Sequence, residues 1–95
     1  MTIDEIMTEM RARIGDGGIG QTVKFDCGED GVIFVNGSDV DASDQDADCT
    51  LTISRENLGK LLSGDLHPMS GMMTGELKVS GAQSAAMKLG AIFEG

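Results

Sequence analysis

The chain has 95 residues, 40% of them apolar and 24% charged, and carries a net charge of −9. Such a length supports one domain, near the lower end of what a single hydrophobic core can hold, and the composition is that of a globular protein. The charge argues against nucleic-acid binding and against stable adsorption to an anionic membrane, and no apolar run reaches the ~18 residues of a membrane span.

A helix is expected from Thr2, where Glu5 three residues on completes a capping box. Ile3, Ile6, Met7, Met10 and Ile14 fall on one helical stripe, Arg11 and Arg13 suit the C-terminal dipole, and Gly15 stops the helix. This stripe reads as core cover. Gly15, Gly17 and Gly20 spell G-x-G-x-x-G, but a dinucleotide loop follows a strand and opens a helix. Here the order is reversed, so the glycines read as a linker.

Thr22 to Cys27 alternates, with Val23, Phe25 and Cys27 on the apolar face of a half-buried strand. Gly28 to Gly31 turns the chain, Val32 to Val35 returns as an apolar central strand, and Asn36-Gly37 ends it. Asp39, Asp41, Asp44, Asp46 and Asp48 then crowd one polar stretch. A calcium loop begun at Asp39 would need Gly and Glu where Asp44 and Thr50 stand; begun at Asp44, it meets Cys49 and Arg55. The stretch reads as a solvated acidic loop.

Cys49 to Ile53 is the third expected strand, and Ser54 caps a helix whose apolar face is Leu58, Leu61 and Leu62 before Gly64. Pro68 suits the first position of a short helix carrying Met69, Met72 and Met73, which Gly75 closes. Glu76 to Ser80 alternates as a fourth strand, with Leu77 and Val79 inward. In a last helix Ala82, Ala85, Ala86, Leu89, Ile92 and Phe93 share a stripe.

Catalytic groupings are scarce. His67 is the lone histidine, and Cys27 and Cys49 fit none of the patterns C-x-x-C, H-x-x-x-H or G-x-S-x-G. No enzyme activity, metal or cofactor is expected, and both cysteines read as small strand hydrophobes. The acidic opening Thr2–Met7 lacks the apolar run of a secretion signal, so reduced thiols in the cytoplasm are expected.

Four blocks carry a resemblance. They are Ala47-Asp48-Cys49-Thr50-Leu51-Thr52-Ile53, then Leu61-Leu62-Ser63-Gly64-Asp65-Leu66-His67-Pro68, then Gly75-Glu76-Leu77-Lys78-Val79-Ser80-Gly81, and Ala86-Met87-Lys88-Leu89. In this order and spacing they resemble the sterol carrier protein type 2 (SCP-2) family, over about half of the chain. The resemblance implies an α/β (α+β) fold: a mainly antiparallel four- to five-stranded sheet with helices over one face. It implies an apolar cavity between them for a fatty acid, acyl-CoA, sterol or phospholipid.

On this footing Met69, Met72, Met73 and Met87 form an adaptable cavity wall, completed by Phe34, Leu62, Leu77 and Phe93. Family members show five strands where only four are countable here, so a trimmed sheet and a small or open tunnel are expected. That trimming motivates an alternative, an interaction module of a lipid-metabolism enzyme, or a homodimer, that has lost the cavity. The chain ends Phe93-Glu94-Gly95, without the peroxisomal signal often seen in eukaryotic members, so a bacterial-type stand-alone domain is expected.

Overall fold

The computed structural model describes residues 2–14, 20–37, 39–82 and 84, with the side chains of Pro68 and Met69 outside the description. The first helix, α1 (Ile3–Ile14), opens on the expected capping box. Thr2 N donates to Glu5 Oε1 at 2.9 Å, and Glu5 N donates to Thr2 Oγ1 at 3.1 Å. These reciprocal bonds satisfy backbone donors that the first helical turn leaves without partners, and they hold the Glu5 carboxyl below its ordinary pKa. Ile6, Met7 and Met10 are the buried face of α1.

The strands are β1 (Thr22–Asp26), β2 (Val32–Asn36), β3 (Asp39–Asp41), β4 (Cys49–Ile53) and β5 (Leu77–Gly81), in sheet order β3-β2-β1-β4-β5. β1 and β4 run parallel; the other three neighbouring pairs are antiparallel. Among the described residues the sheet therefore has five strands, not four. The strand missed in the sequence is Asp39–Asp41, which the run of aspartates disguises as loop. Val40 is buried opposite Val35, while Asp39 and Asp41 on the other face stay exposed. A strand of three residues offers too little alternation to be told from loop by its pattern alone.

Each strand turns one row of side chains to the helices. Val23, Phe25, Ile33, Val35, Val40, Cys49, Leu51, Ile53 and Leu77 form a single cluster with α1 and α2 (Arg55–Ser63), the latter contributing Leu58, Leu61 and Leu62. Two arginines pin α1 onto this layer. Arg11 donates through Nε and Nη2 to the Val40 carbonyl at 3.2 and 2.6 Å, and Arg13 Nη2 donates to the Leu62 carbonyl. Each occupies a carbonyl at the margin of the core, where an unpaired acceptor would be costly.

The other face of the sheet is polar apart from Val32 and Phe34 on β2. Residues 42–48 carry the chain from β3, past β2 and β1, into β4. Their tie to this outer face is Lys24, which alternates with inward Val23 and Phe25 and meets Asp44 at 3.1 Å. Where the crossover ends, Thr22 N donates to Asp48 Oδ2 at 3.1 Å and Asp48 N donates to Thr22 Oγ1 at 2.8 Å. Much of the acidic stretch is thus a strap held by specific partners. Gly81 closes β5 against it: at φ +97° it lies so near Asp48 that a Cβ would sit 2.4 Å from the Asp48 carbonyl oxygen.

Candidate lipid-binding site

The site region is built from α2, α3 (Pro68–Thr74) and β5. Ser54 is extended and its Oγ accepts from Asn57 N at 3.1 Å, which starts α2; Gly64 ends the helix at φ +87°. Asp65 N and Leu66 N then both donate to the Lys60 carbonyl, at 2.9 and 3.1 Å, folding the linker back beneath the helix. His67 is extended, as a residue before proline should be, and Pro68 opens α3 where its missing N–H costs nothing.

α3 packs on the sheet through its smallest residue. A Cβ at Gly71 would lie 3.3 Å from Leu77 Cβ and 3.7 Å from Leu66 Cδ2, so the helix backbone comes close to both side chains. Each residue advances roughly 100° around a helix, which turns Met73 about 200° from Gly71 and Met72 to the flank. Accordingly Met72 is 48% exposed and Met73 is 85% exposed.

The expected wall residues separate into three groups. Leu62 and Leu77 are buried in the common core beside the α2–α3–β5 seam. Phe34 is buried too, but on the face of the sheet away from α1 and α2 and outside their cluster. Met72 and Met73 are at the surface, while the side chain of Met69 and all of Met87 and Phe93 lie outside the described residues. Leu66 and Val79, partly buried against the core, belong to the same seam and were not in the expected wall. Their signal was present in the repeated apolar positions flanking α3.

The thiols are chemically quiet. Burial pushes Cys27 up to about 11, with the Asp30 and Asp26 carboxylates adding to the shift, and burial raises Cys49 as well. Both are free. Cys49 pairs with Val23, so Cys27 is four residues further along the neighbouring strand. That separates them by roughly 13 Å, beyond the Cα spacing of a disulfide. A cleft of about 310 Å³ opens beside Cys27, between Asp26, Thr52, Ser54, Glu76 and Lys78. Its charged rim does not suit an acyl chain. Among the described residues no three His, Cys, Asp or Glu side chains could hold a metal ion, and no helix is long and apolar enough to cross a membrane.

Comparison with known proteins places this fold. Residues 9–94 match the SCP-2 sterol transfer family. The chain is 43% identical over 53 residues to sterol carrier protein 2 of Oryctolagus cuniculus, a match covering 56% of this chain and 10% of that protein. It thus spans about a tenth of the length of that curated relative. In fold it is similar to palmitated SCP2L2 from Aedes aegypti, with a TM-score of 0.77 and 18% identity over 100% of this chain and 96% of that one. It is also similar to a sec-alkylsulfatase from Pseudomonas sp., with a TM-score of 0.61 and 18% identity over 88% of this chain but 14% of that one. The chain belongs to the SCP-2 sterol transfer family, a family of lipid-binding and lipid-transfer domains.

Proposed function

We propose that this domain is a non-enzymatic lipid carrier, holding an acyl chain, acyl-CoA or sterol-like ligand between the inner face of the sheet and its helices. The observation that carries the reading is the chemistry of that inner face. The sheet and two helices turn Val, Ile, Leu, Phe, Met and Cys side chains toward one another, and no polar or charged side chain is buried among the described residues. A cavity opened in such a layer offers an acyl chain nothing but apolar contact, worth about 0.8 kcal/mol for each CH₂ buried.

Leu62 and Leu77 are the proposed wall on the α2 and β5 side, with Leu66 beside them. Met69, Met87 and Phe93 keep their proposed places in the lining, and Met72 and Met73 stand at its rim. Phe34, on the far face, is not part of this wall. The neutral thiols suit a carrier in a reducing, cytoplasmic setting. An interaction module without a cavity was motivated by a four-stranded sheet, and the sheet has five strands.

The test is displacement of a fluorescent fatty acid. A saturable response at one site per chain, reversed by palmitate, is expected. A response that never saturates, or that palmitate leaves unchanged, counts against a formed site.

A further inference from the structure

We propose that the outward face of α3, formed by Met72 and Met73, is a docking surface for a zwitterionic phospholipid bilayer; as a step in lipid delivery it rests on the carrier reading above. The first observation is the inverted packing of this helix. Gly71 faces Leu77 and Leu66 in the core, while Met73 and Met72 are the large apolar side chains among the described residues that stand exposed. Folding alone favours the opposite arrangement, with methionine inward and the small residue outside. Isolated surface hydrophobes are ordinary, but here two adjoin, on a helix whose exposed Ser70 and Thr74 add no charge.

The second observation is electrostatic. Leu66 to Gly75 is the longest stretch of the chain without Asp, Glu, Lys or Arg, in a protein where 24% of residues are charged. Asp65 and Glu76, both exposed, bracket it. An apolar tip whose uncharged stretch is flanked at both ends by an exposed carboxylate suits a surface whose outermost charge is a quaternary ammonium, above a phosphate layer and a hydrocarbon interior. Anionic lipid would repel both the bracket and the net charge of −9.

Size separates this occupant from a second copy of the chain. Two methionine side chains are far short of the roughly 1,000 Å² that a stable protein interface needs, and a copy brings the same negative charge. A transient contact with lipid requires no such area.

The chain has no Trp or Tyr, so Met73→Trp introduces a single fluorescent reporter at the tip. Measured without added ligand, its emission should shift to the blue on phosphatidylcholine vesicles and be quenched by brominated acyl chains. Glu56→Trp, on the exposed side of α2, should show neither effect. Replacing part of the phosphatidylcholine by phosphatidylserine should weaken the response, and salt should restore it. Removing both side chains as Met72→Ser with Met73→Ser should lower vesicle partitioning of the full chain about tenfold. An emission from the Met73→Trp variant that vesicles do not change overturns the proposal. So does a shift that appears with protein concentration alone, which would assign the patch to a second copy. Because no ligand is present, these outcomes are independent of whether the interior binds a fatty acid.

Discussion

Two consecutive helices, α2 and α3, use the same punctuation to opposite ends. Each starts after an extended residue and stops at a glycine in the left-handed region, Gly64 at φ +87° and Gly75 at φ +81°. α2 turns Leu58, Leu61 and Leu62 into the core and shows Glu56 and Lys60 to water. α3 turns Gly71 inward and shows Met72 and Met73. The first arrangement stabilises the fold. The second leaves apolar area at the surface that the fold does not use.

The contrast is broken most sharply at Leu58, which is wholly buried. Leu58→Ala should destabilise the domain by about 2–5 kcal/mol through lost transfer energy and the cavity left behind. Met73→Ala should stay within about 0.5 kcal/mol of the parent, as expected for a side chain that packs on little. Urea midpoints of the two variants measure the difference directly. Equal losses would mean that α3 is held by its methionines after all.

A smaller effect is expected at the strap. Gly81→Ala places a Cβ against the Asp48 carbonyl at a positive φ, and should cost about 1–3 kcal/mol. The same substitution at Gly64, where nothing lies within 4 Å, carries only the backbone strain and should cost less. Comparing their thermal midpoints isolates the close approach from the dihedral.

At neutral pH the last effect is silent, and it emerges only in alkali. Cys27 is raised from an ordinary value of 9.0 to about 11, so the folded state favours the neutral thiol. Its contribution is complete below pH 9 and is lost as pH climbs from about 9 to about 11, where the unfolded chain ionises first. Stability should therefore fall across that window, and Cys27→Ala should flatten the fall. At neutral pH the thiol should also react slowly with iodoacetamide, since little thiolate is present. Fast alkylation of the folded protein would contradict its burial.

Much of the fold could be read from the chain because its local signals agree. The Thr2–Glu5 box, the Ser54 cap and the alternation through Phe25 and Leu51 each point to the element that forms. Asp39–Asp41 could not be read this way. It is short, its outward residues are both aspartate, and what makes it a strand is contact rather than pattern: hairpin pairing with the adjacent β2 and the long-range Arg11 bonds to the Val40 carbonyl. Of the residues expected in the site, the burial of some was legible. Leu62 and Leu77 follow from their periodicity, whereas the exposure of Met72 and Met73 depends on which side of α3 meets Leu66 and Leu77. A seven-residue helix has too few turns for a stripe to declare its inward face. Phe34 sits in an unbroken apolar run, where composition gives burial but not the face of the sheet.

The central claim, that the interior accepts lipid, is met most directly by native mass spectrometry of the intact chain. After exposure to excess palmitate without detergent, the 9.9 kDa protein should carry one fatty acid per chain, released when the protein is denatured. A folded chain that stays at its bare mass under those conditions would contradict the account.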